Sequence, residues 1–393
     1  MRALAEASRL FPGVASATYM NVAVKGLVST RVRDVVRAHV DSRVETGGDK
    51  DGMFATVERA RERFALAVNA HPDEVALMKN VSDGVGTICS ALPWEPGDNV
   101  VICAALEHPN NVYPWLNLRD RMGVEVRMIP PEGGTVPTDV MAEAMDERTR
   151  LVTVPTVTFS PGLIADLVPL AETSRRLDAF FLVDAAQSVG VLQTDVRAMG
   201  VDALATATQK AVGSFYGTGF LYCRREWAER LRPGTLARYG VAFGDDAHET
   251  ALSTEALVLR PGARRFDLGN YNYLGAAAAE AALELLGEFG MDRIEAHARG
   301  LARRLAEGFA ALGLPLAGGA GPDLAHIVAV GEAGAGLHDS TDDPRLASLY
   351  EHLTGNGVVL SVRRGVLRFS VHLYNTEDDV DRVLSLVRGW SGR

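Results

Sequence analysis

Phe180-Phe-Leu-Val-Asp184, four apolar residues closed by a carboxylate, sets the fold class. Similar short β-rich runs flank it: Val100-Val-Ile-Cys-Ala104, Val124-Glu-Val-Arg-Met-Ile129, Leu151-Val-Thr-Val154 and Gly219-Phe-Leu-Tyr-Cys223. Longer amphipathic stretches, such as Leu167 to Leu177, separate them. This alternation is the pattern of an α/β domain. The runs are apolar almost throughout, so each strand is expected to be buried on both faces, with helices covering a mostly parallel sheet. In such sheets binding groups collect beyond the carboxyl ends of the strands, where Asp184 falls.

From about Leu274 the pattern changes. Gly275 to Gly287 and Asp292 to Leu312 predict long helices, followed by short strands near Ile327 and Val358. Thr376 and Asp379 have capping-box spacing ahead of Val380, Val383, Leu384, Leu386 and Val387, which predicts a terminal helix. The division expected is a large domain over residues 18–258 and a smaller α+β domain formed by residues 1–17 and 259–393. The glycine-rich stretch Leu316 to Gly336 is expected to be a flexible connection.

A chain of 393 residues that is 47% hydrophobic can bury two cores and a site between them. Its net charge is −10 and its basic residues are scattered, which argues against nucleic acid or an anionic membrane as partner and for a small molecule. Cys89, Cys103 and Cys223 are too far apart for a CxxC metal site and suggest no disulfide framework, so no metal is expected. No segment approaches a bilayer-spanning run, and a cytoplasmic location is expected.

Three segments carry a family likeness: Phe181-Leu-Val-Asp-Ala-Ala-Gln-Ser-Val-Gly190, Thr206-Ala-Thr-Gln-Lys210 and Gly213-Ser-Phe-Tyr-Gly-Thr-Gly-Phe-Leu-Tyr222. In order and spacing they resemble the class V aminotransferases, enzymes of pyridoxal-phosphate (PLP) fold type I, and the likeness runs from about Tyr19 to Arg388. It implies a seven-stranded sheet sandwiched by helices, a homodimer with active sites at its interface, and PLP held as a Schiff base on Lys210. Chemistry points the same way. A lysine that forms an imine must be partly neutral, and a buried apolar turn favours that form. A carboxylate beside the pyridine nitrogen keeps it protonated, which suits Asp184, although alone Asp184 reads equally as a helix N-cap.

Other roles follow from the resemblance. Gln187 would bond the cofactor's phenolic oxygen. In Asn80-Val-Ser-Asp-Gly-Val-Gly-Thr-Ile88, residues Ser82, Asp83 and Gly84 would hold its phosphate where a loop enters a helix. His108, in Leu106-Glu-His-Pro-Asn-Asn-Val-Tyr-Pro-Trp115, would stack on the ring. Asn270, in Arg265-Phe-Asp-Leu-Gly-Asn-Tyr-Asn272, would reach the partner's phosphate. Arg368, in Val366-Leu-Arg-Phe-Ser-Val-His-Leu-Tyr-Asn-Thr376, would grip the substrate's α-carboxylate, with Asn21 and Phe159 as further substrate contacts.

Departures from the family narrow the reaction. Ser361-Val-Arg-Arg-Gly365 offers no nucleophilic cysteine, so persulfide chemistry is not expected. Gln209 replaces the histidine that precedes the lysine in desulfurases, and Ala207 replaces a phosphate-binding serine, leaving Thr206 or Thr208 for that contact, of which Thr208 is taken. Phe159 or Ser160, in Thr158-Phe-Ser-Pro-Gly162, stands where desulfurases have asparagine, and this segment more closely resembles the isopenicillin N epimerase-like branch and its Cys-less carbon–sulfur lyase relatives. Lys25 either meets a second substrate anion or is solvated. The leading expectation is carbon–sulfur β-elimination from a cysteine S-conjugate. Aminotransfer or oxidative deamination comes next, then epimerisation, and last a catalytically silent PLP-fold protein.

Overall fold

The computed structural model describes residues 2–243, 252, 257–334, 337 and 339–391. Its strands are β1 (Thr18–Tyr19), β2 (Val75–Met78), β3 (Asn99–Ile102), β4 (Glu125–Met128), β5 (Thr149–Pro155), β6 (Phe180–Asp184), β7 (Ala203–Ala207), β8 (Gly219–Cys223), β9 (Ile327–Val330), β10 (Val358–Val359), β11 (Ser361–Arg363) and β12 (Val366–Ser370). Seven of them form one sheet in the order β2-β8-β7-β6-β5-β3-β4. The pairings from β7 through β4 are parallel, and β8 runs antiparallel to both β7 and β2.

Burial on both faces follows from the pleat. Phe180 and Leu182 point to one side, where Val85 and Ile88 of helix Val81–Ala91 meet them together with Trp115 and Trp227. Phe181 and Val183 point to the other, against Phe64 of helix Lys50–Ala67, Leu170 of helix Val168–Leu177 and the alanines of helix Tyr273–Phe289. Each fully buried phenylalanine contributes roughly 1.5–3 kcal/mol to stability. Among the described residues no helix is long and apolar enough to cross a membrane.

A second core lies beneath a three-stranded antiparallel sheet, β11-β12-β9, packed by helices Met291–Ala311, Pro344–Gly355 and Glu377–Gly389. Ala7, Phe11, Tyr19 and Met20 join this core, and β1 pairs in parallel with β10. The capping box at Thr376 and Asp379 starts the terminal helix as its spacing predicts.

Two expectations change here. Ala276, Ala278, Ala279 and Ala281 to Leu283 pack into the core of the large sheet while Leu285, Leu286 and Phe289 join the second core, so helix Tyr273–Phe289 spans the two cores and is not confined to the smaller domain expected after residue 258. Small side chains let this helix lie close against its neighbours, and an alanine-rich run does not encode which core it fills. The stretch Leu316 to Gly336 is not simply a flexible connection. It holds the buried strand β9, and Leu316 and Leu324 bridge to Val330 and Leu163. Its last two residues, 335 and 336, lie outside the described residues.

Candidate active site

Strands β5, β6 and β7 end side by side, and Pro155, Asp184, Ala207 and Lys210 line a cavity of about 320 Å³ beyond them. Lys210 follows β7 on a turn compressed from two sides. A Cβ on Gly26 would stand 2.2 Å from the Lys210 carbonyl oxygen, and one on Gly190 (φ +96°) 2.6 Å from the Ala211 backbone, so neither position admits a larger residue without displacing the turn. Gly26 also donates its N–H to Gln209 O at 2.8 Å.

Lys210 is half-buried at the cavity wall, and burial pulls its pKa from 10.5 to about 8. Asp184 opposes that shift, while Arg368 and Arg363 add to it. A neutral amine is thereby brought within reach of neutral pH. Asp184 accepts from Ala186 N–H at 2.8 Å through one oxygen and from Asn111 Nδ2 at 2.5 Å through the other. The chain turns after Asp184 without starting a helix, so the N-cap alternative does not apply.

Arg368, 2% exposed in the middle of β12, donates to Ser361 Oγ at 3.2 Å and to the Phe159 carbonyl at 2.6 Å. The Phe159 ring stands edge-on to His108 at 5.9 Å, and the Arg364 guanidinium lies 4.9 Å from the ring centre. Lys210, Asp184, Gln187, His108, Ser82, Phe159 and Arg368 all line this one cavity.

Other expected residues lie elsewhere. Thr208 is wholly buried and its hydroxyl points to the carbonyls of Phe215 and Thr218, both at 3.0 Å, so Ala207 and Gln209 form the wall instead. Asn21 bridges to Ser370 beside β12, which leaves Ala23 and Val24 facing the cavity. A Cβ on Gly84 would stand 3.0 Å from the Ala205 methyl, so glycine there lets helix and sheet approach. Asp83 accepts from Lys79 N–H and, with Asn270, lines a neighbouring cavity of about 580 Å³; Ser82 borders both. Ser160 does not line the first cavity, nor does Lys25, which is exposed.

Gln209 lines the wall as well, and so do Glu107, Asn111, Tyr216 and Arg363, to which the sequence assigned no role. Glu107 is 1% exposed and its pKa is pushed up to about 8, first by burial and then by the charge of Asp184. The four-residue spacing from Glu107 to Asn111 was the available signal, because the 3-10 turn Pro109–Asn111 brings their side chains to 3.0 Å.

This donor set fits pyridoxal phosphate. Asn80 caps the helix Val81–Ala91 by accepting from Asp83 N–H, and the N–H groups of Val81 and Ser82 have no acceptor within the helix, as a phosphate requires. Gln187 gives one N–H to Ala23 O at 3.1 Å and keeps a buried amide oxygen without a partner at the wall.

A family model described as aminotransferase class-V matches residues 38–383. The "Uncharacterized aminotransferase YcbU" of Bacillus subtilis (strain 168) is 29% identical over 372 residues, 95% of this chain and 94% of that protein. The apo cysteine desulfurase from Thermococcus onnurineus NA1 shares the fold with a TM-score of 0.85 at 22% identity, covering 99% of both chains. A complex between the cystine C-S lyase C-DES and its reaction product cysteine persulfide gives a TM-score of 0.84 at 21% identity over 97% of this chain and 99% of that one.

Proposed function

The chain belongs to the class-V aminotransferase family, and from that premise we propose that this pyridoxal-phosphate-dependent enzyme is a carbon–sulfur β-lyase acting on a cysteine S-conjugate. The cavity wall carries this reading: it presents the Lys210 amine, the carboxyl groups of Asp184 and Glu107 and the guanidinium groups of Arg363 and Arg368, but no thiol. Burial raises the thiols of Cys89 and Cys103 to about 11 and that of Cys223 well above the ordinary range, so none is a ready persulfide carrier.

Bound at this site, pyridoxal phosphate supplies an electron sink for the Cα–H bond. Arg368 holds the α-carboxylate with its planar fork. Lys210 takes the Cα proton and passes a proton to the departing sulfur. Asp184 would set a negative charge against the pyridine nitrogen, Gln187 would bond the phenolic oxygen, and the helix start at Ser82 would hold the phosphate. His108 would cover the ring, and Phe159 would keep water from one side of the substrate. In the net reaction a cysteine thioether and water yield a thiol, pyruvate and ammonium; the Cβ–S bond breaks and no oxidant is consumed.

The proposal extends to a cytoplasmic homodimer. Tyr216 on the rim of the first cavity and Leu268 on the second leave apolar surface exposed, and a second copy there would bring Asn270 to its neighbour's phosphate. Sedimentation at equilibrium tests this, and a monomer would refute it. Amino-group transfer is the second reading, favoured because Gln209 at the wall lacks the acid–base capacity of a histidine. Product analysis of the holoenzyme with S-ethylcysteine and S-carboxymethylcysteine separates the two. The lyase releases thiol and pyruvate in equal amounts. Amino-group transfer to an added 2-oxo acid, with sulfur kept on carbon, overturns the lyase reading.

A further inference from the structure

Beside Arg368 stands a second arginine that the proposed reaction does not use. Strands β11 and β12 pair antiparallel with Ser361 opposite Arg368 and Arg363 opposite Val366. Residues 361 and 363 therefore share one face of the hairpin with residues 366 and 368, and Arg363 and Arg368 are diagonal neighbours on it. The register is set by the two-residue turn Arg364-Gly365, with φ of +48° and +89°. Positive φ at both central positions is the tight hairpin turn whose twist matches the strands, so a slip that would send Arg363 to the opposite face is resisted. Both arginines line the cavity that holds Lys210.

Charge on this wall is unbalanced. Lys210, Arg363 and Arg368 face it, while its acids are Asp184, engaged by Asn111 and Ala186, and the buried Glu107. Among the described residues neither arginine forms an ion pair. Arg363 gives one N–H to Val362 O at 2.6 Å, and Arg368 donates to Ser361 and Phe159. Each guanidinium has five N–H donors, so most of this capacity is unspent. Asp339, whose charge acts on Arg363, does not line the cavity. An α-carboxylate satisfies Arg368 and leaves a second cation facing the bound substrate. Diagonal partners on a hairpin stand about 7–8 Å apart at Cα, a separation that a short dicarboxylate spans once the side chains converge.

We propose that Arg363 is a second anion-binding residue of this cavity and that the substrate is an amino acid whose side chain ends in a carboxylate. Under the β-lyase reading, on which this last step rests, it is a cysteine whose sulfur substituent ends in a carboxylate.

The test uses two unreactive five-carbon acids, glutarate and pentanoate, titrated into the holoenzyme by calorimetry. Wild type binds glutarate at least ~10-fold more tightly, the worth of one charge-assisted hydrogen bond. Arg363→Gln removes most of that preference while leaving pentanoate affinity unchanged, which also reports an intact fold. Arg363→Lys retains the preference. Equal binding of the two acids by wild type, or a preference that survives Arg363→Gln, overturns the proposal. Neither probe reacts, so a retained glutarate preference together with no thiol release from S-carboxymethylcysteine or S-ethylcysteine upholds the anion site and removes only the lyase step.

Discussion

Asn111 Nδ2 donates to Asp184 Oδ2 across 2.5 Å, and the same nitrogen donates to Glu107 Oε2 at 3.0 Å. One amide thus ties the carboxylate at the end of β6 to a carboxyl group that the sequence reading passed over. Glu107 Oε1 and Asn111 Oδ1 are buried without partners, so the cluster depends on this nitrogen. Asn111→Ala should loosen Asp184 and weaken cofactor binding by roughly 10- to 100-fold, the worth of a hydrogen bond to a charged group. Equilibrium dialysis of pyridoxal phosphate measures this, and unchanged affinity would show that Asp184 is held by other contacts.

Glu107 also gives the cofactor-free protein a pH signature. Its folded pKa, about 8, lies above the ordinary 4.5, so the folded state binds the extra proton and stability falls as pH rises toward 8. Asp202, raised to about 6, acts in the same direction at lower pH. His326 and His372, lowered by burial to about 3 and about 4, act oppositely up to their ordinary 6.5. The clearest window is therefore pH 6.5 to 8, where Glu107 contributes a loss of at most about 2 kcal/mol. Urea midpoints should fall across this window in wild type and stay level in Glu107→Gln; parallel slopes for the two proteins would refute the assignment.

Lys210 predicts how the apo-protein captures its cofactor. Only the neutral amine attacks an aldehyde, and with a pKa of about 8 its neutral fraction rises about 10-fold between pH 7 and 9. Stopped-flow absorbance should show the capture rate rising by about that factor and levelling above pH 9. A rate still climbing steeply beyond pH 10 would mean that burial leaves the amine at its ordinary value.

Gly26→Ala tests the compressed turn. The added methyl would collide with the Lys210 carbonyl oxygen, a backbone atom that gives way only if the turn moves. The variant should keep native far-UV circular dichroism and lose most covalently trapped cofactor after borohydride reduction. Full trapping would show that the Tyr19 to Gly26 segment yields instead.

The apolar runs around Phe180 to Asp184 made the layered sheet legible, because strands buried on both faces have no polar positions to spare. The position of Lys210 was legible too, since its neighbours Asp184 and Gln187 lie close to it in the family's order. The place of helix Tyr273–Phe289 between the two cores was not, because alanines fit against either core. Thr208 was misassigned for a related reason: a hydroxyl bonds whichever acceptor the fold brings near, here two carbonyls of its own turn.

Local order in the chain thus carried the fold class and the place of the lysine turn after β7. Only the folded chain joined Glu107 to Asp184 and set Arg363 beside Arg368. Those two relations depend on a strand crossover and a hairpin register, which bring charges together across distances that residue identity alone does not encode.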